Sequence, residues 1–296
     1  MLQVKLILCP IDFSEFSIKA YRHALSLAEH YRAKLVAQHV VELWRYPSAC
    51  FAASVALYDE FCRGICDRGK EQLQEFVKNH GRNEIQLELV VQQGMAPDSI
   101  LSFAQERKAD LVVMGTHGQR GYDRLMVGSV TDRVMRRSPC PVLVVSNQPQ
   151  NSMAAGEEPG HVHCLNRILY CTDFSENSSP ALNYAISATQ EYEAELTMLH
   201  VLEDVSRRGN TQDAIAAATA QLDKLIPPDG GKTLKTKTVV RVGKPYQQII
   251  QLAQEAQIDL TAMGVRGRGA LDLAVFGSTT YRVMQLGPCP VLAVHH

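Results

Sequence analysis

Leu111-Val112-Val113-Met114-Gly115-Thr116-His117-Gly118, nine further residues, then Gly128-Ser129-Val130 is the stretch on which the fold turns. The template returns 149 residues later as Leu260-Thr261-Ala262-Met263-Gly264-Val265-Arg266-Gly267, nine residues, then Gly277-Ser278-Thr279. Each copy reads as a short buried strand, a glycine-rich turn and a helix start. Unpaired backbone N–H groups converge at such a junction, and the helix dipole is positive there, so it suits an anion. One glycine loop is a weak signal, but two at identical internal spacing point to a duplicated site.

The repeat reaches well beyond the glycines. Ile7-Leu8-Cys9-Pro10-Ile11-Asp12-Phe13-Ser14-Glu15 is matched by Ile168-Leu169-Tyr170-Cys171-Thr172-Asp173-Phe174-Ser175-Glu176, and His39-Val40 by His200-Val201, both at an offset of 161. Ser138-Pro139-Cys140-Pro141-Val142-Leu143 is matched by Gly287-Pro288-Cys289-Pro290-Val291-Leu292 at 149, so copy two is shorter by 161 − 149 = 12 residues, lost between His39 and Gly94. The chain reads as residues 1–147, one domain; 148–164, a linker; and 165–296, a second domain. Gln148–Pro159 is polar, carries Pro and Gly and has no period, as a linker does.

A length of 296 residues suits two domains, each with its own core. Hydrophobic content of 46% and charged content of 21% are ordinary for a soluble globular protein. Residues 1–147 hold 18 Lys/Arg against 16 Asp/Glu, and residues 148–296 hold 12 against 15, so neither half has the basic excess of a phosphate-binding nucleic-acid partner. The apolar stretch at Val4–Cys9 is too short for a signal sequence, and no segment is long enough to span a membrane, so a cytoplasmic location is expected. Of the eight cysteines only Cys140 and Cys289 are repeat-equivalent, which favours reduced thiols over a disulfide framework.

Within copy one, strands are expected at Val4–Leu8, Lys34–Val41, Gln86–Val91, Leu111–Met114 and Val142–Val145. Helical spacing links Phe16, Ala20, Ala24, Leu27, Ala28 and Tyr31, with Ser14 placed to cap. A longer helix runs through Tyr58, Phe61, Ile65, Leu73 and Phe76, a third through Ile100 and Ala104, and a fourth from Ser129 to Arg137. Copy two repeats the order with Arg167–Cys171, Glu195–Val201, Thr238–Val242, Leu260–Met263 and Val291–Val294, its second helix confined to Thr211–Leu225. This is an α/β chain of two tandem, open, parallel five-stranded sheets with helices on both faces.

In such sheets ligands sit beyond the strand carboxyl ends where strand order reverses. Adjacent first and fourth strands would bring Asp12 and Gly115 into one crevice, with Pro10 shaping the turn. A carboxylate there suits ribose hydroxyls, and Gly128-Ser129 offers amides and a hydroxyl to phosphates. Against this, Asp12 and Asp173 could simply cap helices and the glycines simply make turns. His39 and His200 read as satisfied core histidines. Cys62-x-x-x-Cys66 and His161-Val162-His163-Cys164 have metal-ligand chemistry but no repeat-equivalents, so no metal site is expected. No Walker motif, no G-x-S-x-G elbow and no nucleophile–base pair is present, which disfavours a fast hydrolase.

Taken together these residues resemble the universal stress protein family in its tandem, ATP-binding form: Gly, two residues, Gly, nine residues, Gly, then Ser or Thr, with the Asp-Phe-Ser and His-Val strand ends. The resemblance covers the chain except its linker. It implies a Rossmann-like fold of the adenine-nucleotide alpha-hydrolase type. It also implies ATP, or ADP or AMP, held by Pro10, Asp12, Val40, Met114, Gly115, Gly118, Gly128, Ser129 and Val130. In copy two the same roles fall on Asp173, Val201, Met263, Gly264, Gly267, Gly277, Ser278 and Thr279. Mg²⁺ or Mn²⁺ would accompany the phosphates. The expected function is a nucleotide-dependent stress regulator acting through a protein partner. The alternatives are a weak ATPase or self-phosphorylating enzyme, with Ser129, Thr131, Ser278 and Thr279 as acceptors, and a scaffold with incidental nucleotide. Pairing of Val142–Val145 with Val291–Val294 would make an internal pseudo-dimer, open to further homodimer formation. Two asymmetries are expected: a looser turn in copy two, where Cys171 replaces Pro10, and a stronger salt dependence there from Arg266 and Arg268, against His117 and Arg120.

Overall fold

A computed structural model of the chain describes residues 4–45, 55–81, 85–118, 127–146, 165–203, 211–227, 234–265 and 277–295. The chain divides into two compact units, Gln3–Val145 and Ser146–His296. The first runs β1 (Leu6–Pro10), α1 (Glu15–Tyr31), β2 (Lys34–Val41), α2 (Val55–His80), β3 (Leu87–Gln93), α3 (Ala96–Glu106), β4 (Leu111–Gly115), α4 (Ser129–Arg137) and β5 (Val142–Val145). Its strands are parallel, in the order β3-β2-β1-β4-β5. The second runs β6 (Arg167–Cys171), α5 (Ser179–Tyr192), β7 (Glu195–Leu202), α6 (Thr211–Asp223), β8 (Lys235–Val242), α7 (Pro245–Glu255), β9 (Leu260–Gly264), α8 (Ser278–Leu286) and β10 (Val291–Val294). Its order is the matching β8-β7-β6-β9-β10.

Burial explains which runs read as unbroken apolar stretches. β4, β5, β9 and β10 are buried at every position, as strands covered on both faces must be. The duplication persists in the backbone. Phe13 and Phe174 take left-handed φ of 65° and 60°, and Arg32 and Glu193 take 50° and 52°, both pairs at the offset of 161. Lys108 and Gln257, and Gly94 and Gly243, are positive-φ pairs at the offset of 149. Such conformations are costly for non-glycine residues, and both copies hold them at the same places. The missing residues fall where expected, since α2 has 26 residues and α6 has 13.

Several boundaries shift by one to three residues from the sequence expectation, and at β1 and β8 the shift has a physical reason. β1 spans Leu6–Pro10 rather than Val4–Leu8, because its register with β2 runs from Leu6↔Lys34 to Pro10↔Gln38. Pro10, which has no N–H to donate, is the last residue of the strand. β8 starts at Lys235, three residues before the apolar run, because it is an outer strand of its unit and lysines are at home there. α5 starts only at Ser179, with Pro180 in its first turn, where a missing N–H is tolerated. Copy one has Lys19 at that place and starts α1 at Glu15, capped by Ser14, whose Oγ accepts from Ser17 N at 3.2 Å.

An ion triad pins β3. Glu88 accepts from Arg107 Nη2 at 2.8 Å and lies 2.5 Å from Lys34 Nζ. Hydrogen bonds from Arg107 and then Lys34 hold its carboxyl down, from an ordinary 4.5 to about 2. A lowered folded-state value stabilises above the unfolded value and is lost as pH falls toward the folded one. Glu88→Gln is therefore expected to cost about 1 kcal/mol near neutrality, after allowing for solvent screening. In urea melts the gap between parent and variant should shrink as pH drops below about 4.5.

Candidate functional site

The site of copy one sits where β1 lies between β2 and β4, at their carboxyl ends. β1 is followed by a turn that Asp12 organises. Its Oδ1 accepts from Ser14 N at 3.1 Å and from Ser14 Oγ at 2.6 Å, with Phe13 held left-handed between them. Asp12 is thus not the helix cap; it orients Ser14, which is. A Cβ built on Gly118 would stand 2.5 Å from Asp12 Oδ2, so the second carboxylate oxygen faces the glycine loop. His39 closes the same turn from β2, its Nδ1 lying 2.8 Å from Ile11 O.

The three glycines have three different reasons. At Gly115 a Cβ would come within 2.7 Å of Phe16 Cβ and 2.9 Å of Phe16 O, so glycine is set there by the approach of α1 to β4, not by a ligand. Gly115→Ala is expected to destabilise the unit by about 1–3 kcal/mol through this overpacking; chemical denaturation without nucleotide measures it. At Gly118 the space is taken by the Asp12 carboxylate. Gly128 is the N-cap of α4, with ordinary angles (φ −60°, ψ 144°), and its N–H donates to Thr116 O at 2.7 Å. The first amides of α4 therefore point out of the helix beside the loop, as helix starts require.

These elements enclose a cavity of about 590 Å³, within the size range of small-molecule and cofactor sites. Pro10, Asp12, Val40, Met114, Gly115, Gly118, Gly128, Ser129 and Val130 all line it. Strand order arranges them: Val40 at the β2 side, Asp12 in the middle, and the glycine loop with the start of α4 on the β4 side. Thr131 also lines it, but its hydroxyl is buried and donates to Gly115 O at 2.8 Å, so it is a brace rather than the phosphoacceptor anticipated. Ser129 is exposed at the helix start.

Several lining residues carried no sequence motif. Trp44, 58% exposed, and Met95, 48% exposed, are the cavity's large exposed apolar groups, and Arg133 reaches it from the second turn of α4. Gln38 and Glu42 line it from β2 and just beyond. Glu42 Oε1 accepts from Ala96 N at 3.1 Å, tying the α3 start to β2. The one available signal was Gln38, an amide directly after the apolar run Leu35–Ala37, where copy two has Leu199.

Copy two reproduces the framework. Asp173 Oδ1 accepts from Ser175 N at 3.0 Å and Oγ at 2.6 Å, His200 Nδ1 lies 2.8 Å from Thr172 O, and Thr280 Oγ1 donates to Gly264 O at 2.9 Å. Gly277 caps α8 and donates to Val265 O at 3.1 Å, so Ser278 and Thr279 open that helix; Met263 is buried and Val201 lies near the end of β7. A Cβ on Gly264 would collide with Asn177 O, the counterpart of the Gly115 restriction. In place of the proline, the turn of copy two has Thr172, whose Oγ1 accepts from Phe174 N at 2.9 Å and also bonds Ser178 Oγ. Gly267, Arg120, Arg266, Arg268, His161, His163 and Cys164 lie outside the described residues. Cys62 is buried, and Cys66 Sγ accepts from Gln93 Nε2 at 3.1 Å. Among the described residues no group of three metal-ligating side chains occurs, and no helix is long and apolar enough to cross a membrane.

A family model, that of the universal stress protein family, matches residues 3–146 and 165–295. Universal stress protein MJ0531 of Methanocaldococcus jannaschii is 33% identical over 141 residues, 48% of this chain and 81% of that protein. Universal stress protein YxiE of Bacillus subtilis is 29% identical over 146 residues, 44% of this chain and 99% of that protein. A universal stress protein from Archaeoglobus fulgidus, known from its crystal structure, has a TM-score of 0.70 at 20% identity, covering 99% of this chain and 97% of that one, a likeness of fold.

Proposed function

The chain belongs to the universal stress protein family, and from that premise we propose that it binds ATP, or ADP or AMP, as a nucleotide-dependent regulator. The observation that carries the reading is the convergence, in one cavity of about 590 Å³, of the nine copy-one residues that the family resemblance assigns to the nucleotide. Main-chain groups at Val40 read the base, Asp12 Oδ2 takes ribose hydroxyls, and the amides of Ser129 and Val130 take phosphate oxygens with the α4 dipole behind them. Mg²⁺ or Mn²⁺ would travel with the phosphates. Copy two, with the same turn and helix cap, forms a second site. The bound state is read by a protein partner in the cytoplasm as part of a stress response.

The exposed hydroxyl of Ser129 at the phosphate end favours one second reading, slow self-phosphorylation. Calorimetry with ATP, ADP and AMP, followed by phosphopeptide mapping after incubation with ATP, tests both. Binding without covalent phosphate supports the regulator, and phosphate on Ser129 the second reading. Failure of all three nucleotides to bind at millimolar concentration would overturn both.

A further inference from the structure

Gln38 stands on β2 two residues before Val40, so both side chains share one face of the strand. It is fully buried and lines the cavity. Its Nε2 donates to Gln92 Oε1 at 2.7 Å and to Ser99 O at 3.3 Å, which spends both amide hydrogens. Ser99 O, a main-chain carbonyl that can only accept, fixes the amide's direction, and Gln92, whose own amide can turn, presents its oxygen to match. What remains is Oε1, which finds no donor among the described residues. A buried acceptor left this way is uncommon and costly.

The fold does not require that cost. At the equivalent position of copy two, β7 carries Leu199, also buried. The register is the same: Gln38 pairs with Val90 and Leu199 with Val239, its repeat-equivalent. One sequence thus builds the strand twice, with hydrocarbon in one copy and an unsatisfied acceptor in the other.

We propose that Gln38 is a base-reading residue of copy one: Oε1 accepts a hydrogen from the exocyclic amine of the bound purine. It thereby favours a 6-amino purine over a 6-oxo purine, a preference that copy two lacks at this position. The inference rests on the reading of the cavity as a nucleotide site whose base lies at the β2 end. An amine carries two hydrogens, so one can serve the Val40 main chain and the other Gln38. A 6-oxo group would bring a second acceptor against Oε1 and leave both without a hydrogen, the arrangement that discriminates most strongly between otherwise similar ligands.

The test uses the full chain carrying Gly277→Asp to silence copy two, titrated calorimetrically with ATP and with inosine triphosphate. This background is expected to prefer ATP by about tenfold or more. Gln38→Leu, the residue copy two uses, and Gln38→Met, of similar length, should each weaken ATP while barely changing inosine triphosphate, so that the ratio falls severalfold to what the Val40 main chain alone supplies. Circular dichroism establishes that each variant is folded, and either one suffices. An unchanged ratio would overturn the role of Gln38, its oxygen then being served by internal water, while leaving the nucleotide site standing. Failure of the unmodified chain to bind either triphosphate would overturn the site itself and Gln38 with it.

Discussion

Gly128→Asp should abolish nucleotide binding by copy one, lowering affinity by at least about 100-fold, the size expected when a charge is placed against phosphate at a helix start. The backbone tolerates the change, since φ −60° and ψ 144° suit any residue and Asp is a favoured N-cap. The new Cβ would stand 3.3 Å from Thr116 O and 3.4 Å from His117 Cα, tight but open to a small adjustment. Gly128→Ala adds the same Cβ without charge and is expected to cost only severalfold. The comparison of the two isolates electrostatics from space, and calorimetry of each, at low and high salt, measures it. Equal, unreduced ATP affinity in the Asp variant would place the phosphates somewhere other than α4.

Asp12→Asn separates the two roles of that carboxylate. An amide oxygen can still accept from Ser14 N and Oγ, so the turn and the α1 cap should persist with little loss of stability. The oxygen that faces Gly118 becomes an N–H₂ or loses its charge, and charge-assisted bonds to ribose hydroxyls are lost. Nucleotide affinity is expected to fall about 10- to 100-fold with a nearly unchanged thermal midpoint. The converse result, lower stability at full affinity, would mean that Asp12 only builds the turn. A 2′-deoxynucleotide should lose less in the variant than in the parent, because one ribose donor is already gone.

Much of this was legible in residues that recur. The offsets of 161 and 149 fixed the duplication because both copies must solve the same backbone problems, visible in the paired left-handed residues Phe13 and Phe174. Strand runs covered on both faces, such as Val142–Val145, leave an unbroken apolar signature that periodicity detects. β8, only partly buried along its length, leaves no such signature over Lys235–Lys237. The reason for glycine at 115 comes from Phe16 on α1, a contact no local pattern records. Likewise Trp44, Met95 and Arg133 enter the cavity as single side chains from separate elements, so no spacing betrays them. Gln38 was within reach, as an amide directly after the apolar run Leu35–Ala37, where the other copy has Leu199.

The claim at the centre is that both glycine templates hold adenine nucleotide. Native mass spectrometry of the full chain, purified without added nucleotide and then titrated with ATP, tests it most directly. The account predicts adducts of one and then two adenine nucleotides per chain, one lost in Gly128→Asp, one in Gly277→Asp and both in the double variant. A chain that stays free of adducts at millimolar ATP, or that keeps both in the double variant, would contradict it.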